Sequence, residues 1–440
     1  MMQETDLPDG WTSASLGDLC SDVQYGWTTS AQKSGQGLKL LRTTDISSGE
    51  VDWTQVPECR EEPEDPHKYL LGQGDIVVSR AGSVGISYLI RSCPAAVFAS
   101  YLIRLRAHKG VSAEFVALFL KSRAYWAAIA DEVAGIAVPN VSASKLRSIQ
   151  IPVPPAAEQR RIVAKVEELL AHVNAARERL ERVPAILKRF RQAVLAAACS
   201  DGEEVELDSI LDEVRYGTAV KCNRDAKGTP VLRIPNVVAG SIGHDDMKYG
   251  HLDAKERGKL LLKPGDLLMI RSNGSVGLVG RTALATEKEQ GFAYAGYLMR
   301  LRLKAEALPQ YVNLALQTLD AREQIERPAR STSGVHNINS QEVKALRVRL
   351  PPPAAQARAV QGASAMFALA DLVKRRVALG AGAAGNLTQA ILVKAFRGEL
   401  VPTEAEVARR EGREYEPASA LLERIKKERE AAISIDSRKR

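Results

Sequence analysis

Residues 70–80 read LLGQGDIVVSR, and residues 261–271, which lie 191 positions later, read LLKPGDLLMIR. The tetrapeptide GSVG follows each segment, at residues 82–85 and at residues 274–277. In both segments a Gly-Asp pair precedes a short apolar run, which predicts a turn, then a buried strand and then a loop. Because this series occurs twice at nearly the same offset, we interpret the chain as an internal duplication.

Further matches extend the duplication over most of the chain. They keep the same order in both copies: LGDLCSDVQYG with LDSILDEVRYG (16–26 and 207–217), ASYLIRLR with AGYLMRLR (99–106 and 295–302), and PPAA with PPAA (154–157 and 352–355). The repeating unit is about 195 residues long, and a chain of 440 residues exceeds one ordinary core. The sequence therefore predicts two similar domains.

Each copy has a mixed part followed by a helical part. In the mixed part, apolar strands such as 75–78 and 267–270 alternate irregularly with helical patterns such as 112–121 and 309–319, which predicts an α+β fold. Prolines then end the mixed part, because proline holds the preceding residue in an extended conformation. We predict mixed domains at 1–152 and 201–350, helical segments at 153–200 and 351–400, and a charged helical tail at 401–440.

Apolar residues of the helical segments recur at alternating steps of four and three, the spacing of a coiled-coil seam. The first seam consists of Ile162, Val166, Leu169, Val173, Ala176, Leu180, Val183, Leu187, Phe190 and Val194. The second, 197 positions later, consists of Ala359, Ala363, Met366, Ala370, Val373, Val377, Gly380, Ala384, Leu387 and Ile391. We predict two long helices that pack together as an antiparallel pair. The alternative is that each helix packs only on its own domain.

Both predicted helices have a weak point at the equivalent position. Pro184 removes a backbone donor and costs about 3 kcal/mol in a helix interior. In the second helix, each glycine of the stretch 380–385 costs about 1 kcal/mol relative to alanine. We therefore predict a kink or break in each helix at this point.

The net charge of +8 is concentrated in the two helical segments. Residues 156–199 carry a net charge of +4 and residues 354–397 a net charge of +5, so the rest of the chain is nearly neutral. This distribution suits a polyanion or an acidic partner on the helices, although solvated helix faces would give the same pattern.

Cysteine usage and hydropathy exclude several classes of protein. The five cysteines form no CxxC pair and the six histidines show no metal-ligand spacing, which predicts reduced thiols in a cytoplasmic protein and no metal site. Neither a membrane-spanning apolar run nor a secretory signal is expected.

Catalytic motifs are missing from the sequence. We find no [ND]PP[YF], the motif with which amino-methyltransferases hold the target base, and no GxxxxGK[ST], GxSxG or HExxH. Asp75 and Asp266 follow glycine at strand starts, where a turn role is favoured over an acid role. The chain is therefore predicted to lack a catalytic site, which argues against a free-standing methyltransferase.

Paired polar residues remain as candidates for binding. Arg42 and Arg233 end strands, and an arginine there can fork to guanine or bind a phosphate. Arg80 and Arg271 precede the GSVG loops, whose backbone N–H groups and hydroxyls can approach a phosphate. The alternative for each arginine is a solvated or ion-paired side chain.

The loops between the matched segments diverge. Residues 28–37 differ from 219–228, and residues 43–69 differ from 234–260. A duplicated frame with different loops suits a protein that reads two different half-sites in DNA.

Several motifs resemble the specificity subunit of Type I restriction–modification systems along essentially the whole chain. They are Gly10-Trp11, the Tyr-Gly pairs at 25–26 and 216–217, GDIVVSRAGSVG and GDLLMIRSNGSVG, IPVPPAAEQRRIVAKVEELL (151–170), and AFRGELVP with EPASALLERIKKER (395–402 and 416–429). The 151–170 segment is the most specific of these. Rival interpretations are a protein–protein scaffold and a stand-alone DNA-binding protein without a role in restriction.

The resemblance implies two target recognition domains, each of which reads half of a bipartite site in double-stranded DNA. It also implies helices that set the spacer and dock two modification subunits, which bind S-adenosylmethionine and methylate adenine. A restriction subunit with motor and nuclease activity is a further candidate partner. No cofactor is expected on this chain.

We assign candidate residues to these two roles. The DNA-binding candidates are Tyr25, Arg42, Thr43, Arg80, Ser83, Asn140, Tyr216, Lys221, Arg233, Asn236, Arg271, Asn273, Ser275, Asn337 and Asn339. The partner-binding candidates on the helices are Arg161, Lys165, Leu169, Leu180, Leu187, Phe190, Met366, Val373, Val377, Leu387 and Ile391. The second helix, which starts PPAAQARAV, departs from the family pattern by lacking the Glu158-Gln159 pair, so we expect unequal docking at the two ends.

Overall fold

The computed structural model shows two compact units, each of which contains part of both long helices. Unit 1 comprises Met1–Leu180 and Gly380–Arg440, and unit 2 comprises Glu181–Leu379. The structure describes residues 7–32, 37–133, 140–238, 240–329 and 334–437.

The first copy of the duplication alternates short strands and short helices and ends in a long helix. Its strands are β1 (Thr12–Ser15), β2 (Cys20–Tyr25), β3 (Ala31–Gln32), β4 (Lys39–Leu41), β5 (Glu58–Cys59), β6 (Asp75–Ser79), β7 (Ser87–Leu89), β8 (Ala96–Phe98), β9 (Leu102–Ala107) and β10 (Gln150–Val153). Its helices are α1 (Leu16–Leu19), α2 (Thr43–Ile46), α3 (Pro66–Tyr69), α4 (Ala113–Phe119), α5 (Arg123–Val133), α6 (Ala143–Ser148) and α7 (Ala156–Ala198).

The second copy follows the same plan and continues into a helical tail. Its strands are β11 (Glu203–Glu206), β12 (Leu211–Tyr216), β13 (Thr229–Leu232), β14 (Lys248–Gly250), β15 (Leu267–Ile270), β16 (Ser272–Asn273), β17 (Thr282–Leu284), β18 (Ala293–Tyr294), β19 (Leu298–Leu303), β20 (His336–Asn337) and β21 (Arg347–Leu350). Its helices are α8 (Leu207–Ile210), α9 (Ile234–Val237), α10 (Ala254–Leu260), α11 (Pro309–Ala315), α12 (Leu319–Ala329), α13 (Ser340–Lys344), α14 (Pro353–Phe396), α15 (Glu404–Glu411) and α16 (Ala418–Ser437).

The two copies share the topology of their main sheet, and the mixture of strands and helices confirms the predicted α+β fold. A four-stranded antiparallel sheet runs β2-β9-β6-β7 in the first copy and β12-β19-β15-β17 in the second. The register shifts at the same place in both, between Cys20 and Asp22 and between Leu211 and Glu213. The strands of each sheet are buried along β6 and β15, as expected of apolar runs inside a core.

Two further pairings are duplicated. Strand β4 pairs antiparallel with β5 and parallel with β8, and β13 pairs antiparallel with β14 and parallel with β18. A two-stranded pairing, β1 with β10 and β11 with β21, joins the start of each mixed domain to its end. Because the first and last strands of each domain are hydrogen-bonded together, each long helix starts from a closed domain.

The two predicted long helices are confirmed, and they pack together. In unit 1, Leu180 of α7 lies against Gly380 of α14, where a Cβ would be only 3.2 Å from a Leu180 methyl group. In unit 2, Arg191 of α7 donates to Asp371 of α14 at 2.6 Å. Residue numbers rise along one helix where they fall along the other, so the pair is antiparallel. The small residue at position 380 makes room for Leu180.

The predicted break does not occur in either helix, and the predicted kink stays a prediction. Both helices are continuous, and Pro184 lies inside α7. Its side chain is exposed, so water can replace the backbone donor that proline removes. In α14, Gly380 is half-buried against the partner helix, and that packing offsets its low helix propensity.

The seam of α14 differs from the predicted one at two positions. Met366 and Leu387 are 42% and 52% exposed, and the half-buried residues there are Phe367 and Thr388. Phe367 faces α7, because the Arg191 guanidinium lies 5.1 Å from its ring centroid. The larger aromatic ring therefore takes the inward place that the spacing pattern assigned to Met366.

All five cysteines are free thiols. Burial raises the pKa of the Cys59 and Cys199 thiols to about 11, so both stay protonated at neutral pH. Within the described part of the chain, no helix combines the length and the apolar character that crossing a bilayer requires.

Candidate nucleic-acid interface

Each copy contains a close backbone crossing that only glycine allows. Gly26 follows the end of β2, and a Cβ on this residue would lie 2.2 Å from the Ala99 carbonyl oxygen. In the second copy, a Cβ on Gly217 would lie 2.3 Å from the Tyr294 carbonyl oxygen. The Tyr-Gly motif therefore marks the point where the strand end passes against the turn that precedes β9 or β19.

The tyrosine of the first Tyr-Gly pair supports an arginine. The Arg80 guanidinium lies 4.6 Å from the Tyr25 ring centroid, within the range of a cation–π contact. The Tyr25 hydroxyl accepts a hydrogen bond from the Ala143 backbone N–H at 2.8 Å, which ties the ring to the start of α6. Arg80 Nε also donates to Asn140 Oδ1 at 3.4 Å.

The second copy repeats this arrangement. The Arg271 guanidinium lies 4.4 Å from the Tyr216 ring centroid, and the Tyr216 hydroxyl accepts from the Ser340 backbone N–H at 2.8 Å. Asn337 belongs to β20, which pairs with β16 directly after Arg271. We call Tyr25 with Arg80, and Tyr216 with Arg271, the two Tyr–Arg pairs.

Arginines of the central strands form ion pairs within the fold. Arg106 forms a two-bond ion pair with Asp75 at 2.7 and 2.8 Å, and Arg302 does the same with Asp266 at 2.7 Å for both bonds. The same aspartates accept backbone N–H bonds within their turns, at 2.9 Å for Asp75 and 2.8 Å for Asp266. Their predicted turn role is confirmed.

Arg42 and Arg233 are also paired with carboxylates. Arg42 binds Asp45 through two bonds of 3.0 and 2.7 Å, and Arg233 donates to Asp246 at 2.9 Å. Hydrogen bonds from Arg233 and then Arg224 lower the pKa of the Asp246 carboxyl, which keeps this partner charged. For these two arginines the structure shows the ion-paired alternative.

Arg80 and Arg271 are different from Arg42, Arg106, Arg233 and Arg302. Within the described residues, neither makes an ion pair, and each side chain is only half-buried. Each is therefore a cation that a tyrosine ring holds in place without neutralising its charge.

Two candidate asparagines have structural roles. The Asn236 side chain is 2% exposed, and its amide donates to the Gly243 and Asp245 carbonyls at 3.1 and 3.0 Å. A direct contact of this side chain with DNA is not available in this conformation. Asn339 caps α13 by accepting from two backbone N–H groups at 2.9 and 3.0 Å.

The other candidates differ in exposure. The exposed ones are Ser83, Asn140, Lys221, Ser275 and Asn337, and the half-buried ones are Thr43 and Asn273. Ser83 and Ser275 lie in the GSVG loops that follow Arg80 and Arg271. The structure thus brings a tyrosine, an arginine, a serine loop and an asparagine together in each copy.

One exposed residue of each copy was not identified from the sequence. Tyr101 is 61% exposed and Tyr297 is 64% exposed, at equivalent turns before β9 and β19. The signal was present, because both tyrosines lie inside the matched segments ASYLIRLR and AGYLMRLR. Their position inside a strand-like pattern concealed their exposure.

Most of the candidate partner-binding residues on the helices are packed or ion-paired within the chain itself. Leu169, Leu180, Leu187, Phe190, Val373 and Val377 are half-buried, and Ile391 is 6% exposed. Arg161 pairs with Glu404 at 2.5 Å, and Lys165 pairs with Glu168 at 3.0 Å.

An apolar surface remains open on α14. Its exposed large side chains within unit 2 are Met366, Leu369, Leu372 and Leu379, with exposures of 42%, 51%, 40% and 74%. We call these four residues the α14 apolar surface. Grouped exposed apolar side chains on one helix are typical of a protein–protein interaction site.

Glu158 links both ends of the chain to α7. Its buried carboxylate accepts from the Trp11 indole N–H at 2.9 Å and from the Glu404 backbone N–H at 2.7 Å. Desolvation raises the pKa of the Glu158 carboxyl, against these two hydrogen bonds, which lower it. The second helix has Ala355 at the equivalent position.

Contrary to the prediction that the second helix lacks the whole Glu-Gln pair, it keeps the glutamine as Gln356. Gln159 accepts from the Ser112 N–H at 2.9 Å and donates to the Pro154 carbonyl at 3.0 Å. Gln356 likewise accepts from the Leu308 N–H at 2.7 Å and donates to the Pro351 carbonyl at 2.8 Å. The extra proline before α14 hid this match.

No group of three or more histidine, cysteine, aspartate or glutamate side chains suited to a metal ion occurs among the residues that the structure covers.

Comparisons with known proteins agree with this architecture. Residues 8–184 match the family model described as Type I restriction modification DNA specificity domain. The chain is 33% identical over 461 aligned residues to the Type I restriction enzyme EcoKI specificity subunit of Escherichia coli (strain K12), covering 97% of each protein. It is 29% identical to the StySPI specificity subunit of Salmonella potsdam, again covering 97% of each.

Solved structures show the same fold. A chain from a study titled "Structural basis underlying complex assembly and conformational transition of the type I R-M system" superposes with a TM-score of 0.71 at 20% identity, over 89% of this chain and 99% of that one. The HsdS subunit from Thermoanaerobacter tengcongensis superposes with a TM-score of 0.60 at 20% identity, over 89% and 98%. With the identity and coverage above, this chain belongs to the family of Type I restriction enzyme specificity subunits.

Proposed function

We propose that the mixed domains, residues 1–152 and 201–350, are target recognition domains that each bind one half of a bipartite site in double-stranded DNA. The two Tyr–Arg pairs carry this proposal. Arg80 and Arg271 keep an unneutralised charge at equivalent positions, whereas the other strand arginines described above are paired with carboxylates. An arginine presented in this way binds phosphate, or forks to guanine.

The diverging segments would make the two domains recognise different base sequences in the two half-sites. Residues 43–69 contain eight acidic and two basic residues, whereas residues 234–260 contain four of each. Carboxylates can accept from cytosine but repel phosphates, so these two segments suit different base pairs. Parts of the diverging loops, 33–36 and 239, lie outside the described residues.

The helices would dock the catalytic partners. We propose that two modification subunits bind the helix pair, with the α14 apolar surface as one contact. These subunits would bind S-adenosylmethionine and methylate adenine, and a restriction subunit would join them, so the chain itself supplies recognition and no cofactor. A complex of this kind acts on cellular DNA in the cytoplasm. The positive charge of the helical segments, +4 and +5, suits an acidic partner surface or DNA backbone.

Methylation mapping tests the proposal. The chain is co-expressed with its modification subunit in a host without adenine methylation, and methylated adenines are located across the genome. A bipartite motif with two unlike halves is the expected result. Methylation that is unchanged when this chain is deleted would overturn the proposal and favour a scaffold role.

A domain exchange tests the assignment of half-sites. Residues 204–350 are replaced by the corresponding residues of another family member with a different motif. One half of the methylated motif is expected to change and the other half to stay. If both halves change, one domain does not read one half-site.

A further inference from the structure

Tyr101 and Tyr297 are the most exposed aromatic side chains of the described residues, at 61% and 64%. They occupy the same place in both copies, one residue before the first residue of β9 and β19. An aromatic side chain so far exposed in a folded domain gains little from burial, so its recurrence in both copies calls for another explanation.

Each tyrosine is attached to the Tyr–Arg pair of its own copy. The Arg80 backbone N–H donates to the Tyr101 carbonyl at 2.9 Å, and the Arg271 backbone N–H donates to the Tyr297 carbonyl at 3.0 Å. The arginine and the tyrosine are therefore neighbours across adjacent strands. A molecule bound by the guanidinium lies within reach of the tyrosine ring.

The hydrogen bonding of the hydroxyl groups distinguishes Tyr101 and Tyr297 from the tyrosines of the Tyr–Arg pairs. The Tyr25 and Tyr216 hydroxyls are used internally, since each accepts a backbone N–H at 2.8 Å. The Tyr101 and Tyr297 hydroxyls have no hydrogen-bond partner among the residues that the structure describes. Each is a free donor beside an unneutralised cation.

The turns that carry the tyrosines are rigidly built. In the first copy, the Leu102 N–H donates to the Ala99 carbonyl at 2.8 Å and the Ser100 N–H donates to the Trp27 carbonyl at 2.9 Å. In the second copy, the Leu298 and Gly296 N–H groups donate to the Ala295 and Thr218 carbonyls, both at 2.8 Å. Each tyrosine is thus presented from a turn with a fixed backbone.

We propose that Tyr101 and Tyr297 each donate a hydroxyl hydrogen bond to a DNA phosphate next to the phosphate held by Arg80 or Arg271. This inference rests on the proposed function. The same residue occurs at this position in both copies, although the loops that would read the bases differ. Such a residue contacts a part of the DNA that both half-sites share. The sugar–phosphate backbone is shared by every sequence, and tyrosine hydroxyls are ordinary donors to it.

The test uses the complex of the full chain with its modification subunits, and duplex DNA that carries the mapped bipartite site or a scrambled site. Affinities are measured for Tyr101→Phe, Tyr297→Phe and the double variant over a series of salt concentrations. Loss of one such hydrogen bond is expected to weaken binding about fivefold, equally on both duplexes. Tyr88→Phe, which removes a hydroxyl from half-buried β7, is the matched control and should change nothing.

Salt dependence identifies the kind of contact. A neutral hydroxyl releases no counter-ion, so the slope of log K against log salt is expected to stay unchanged in Tyr101→Phe although affinity falls. Unchanged affinity in the double variant would overturn the inference, and so would a loss confined to one base pair of the site. If the wild-type complex recognises no bipartite site, the proposed function fails first, and that result appears before any variant is tested.

Discussion

The Arg271 guanidinium lies 4.4 Å from the centre of the Tyr216 ring, and Arg80 lies 4.6 Å from the centre of the Tyr25 ring. A ring face attracts a cation but does not cancel its charge, in contrast to a carboxylate. Each mixed domain therefore contains one arginine that a tyrosine ring holds in place and that keeps its positive charge.

Replacement of these arginines should weaken DNA binding without changing the sequence that is read. Arg80→Ala and Arg271→Ala are each expected to reduce the slope of log K against log salt by about 0.9, because one phosphate contact is lost. The measurement is a salt titration of duplex binding by the assembled complex. Arg91→Ala, at an exposed arginine that is paired with Glu167, is the control. Loss of discrimination at a single base pair would instead identify a base-reading arginine.

Glu158→Ala should destabilise unit 1. The substitution leaves the buried Trp11 indole N–H and the Glu404 N–H without an acceptor, which is expected to cost about 2–4 kcal/mol. Denaturant unfolding measures the loss, and limited proteolysis should show earlier release of the tail. Glu168→Ala, an exposed glutamate on the same helix, should cost less than about 0.5 kcal/mol. Equal stability of Glu158→Ala and wild type would contradict the role assigned to Glu158.

Attachment of the tail should weaken in acid. Although desolvation raises the pKa of the Glu404 carboxyl, hydrogen bonds from Arg161 and Arg413 hold it below its usual range. Because the folded-state pKa is lowered, this carboxylate stabilises the fold above the ordinary glutamate pKa, and the contribution is lost as pH falls through the lowered value.

Glu404→Gln tests this pH dependence. At neutral pH the variant is expected to unfold at lower denaturant than wild type, and the difference should shrink as the pH falls below about 4. Glu406→Gln, which alters the exposed cap of the same helix, is the control. A difference in stability that stays constant over this pH range would show that the charge of Glu404 is not responsible.

The α14 apolar surface should be needed for assembly with the modification subunits. Leu369→Glu together with Leu372→Glu is expected to weaken their binding on the order of a hundredfold, since a carboxylate would be buried without a partner. Co-purification and analytical ultracentrifugation measure the effect. Leu319→Glu, at a residue 66% exposed outside the helix pair, is the control. Normal assembly of the double variant would place the modification subunits elsewhere.

The sequence alone determined the architecture of this protein. Its repeated segments predicted two like domains, and the steps of four and three predicted two long helices that pack together. These features depend on a periodic spacing of buried residues. That spacing can be read from a short stretch of sequence, and in this chain it occurs in both copies. Details of the seam were less accurate, because the choice between Met366 and Phe367 depends on which side chain meets Arg191.

The tertiary structure decided which residues of the candidate site are free to act. Arg42 and Arg80 both follow apolar strands, but only the structure shows that one is neutralised by Asp45 and the other rests on Tyr25. Tyr101, hidden in a strand-like pattern, is exposed at a turn whose Ala99 carbonyl passes close to Gly26. These relationships join residues far apart in the chain, and a side chain's partners depend on which loops the fold brings together.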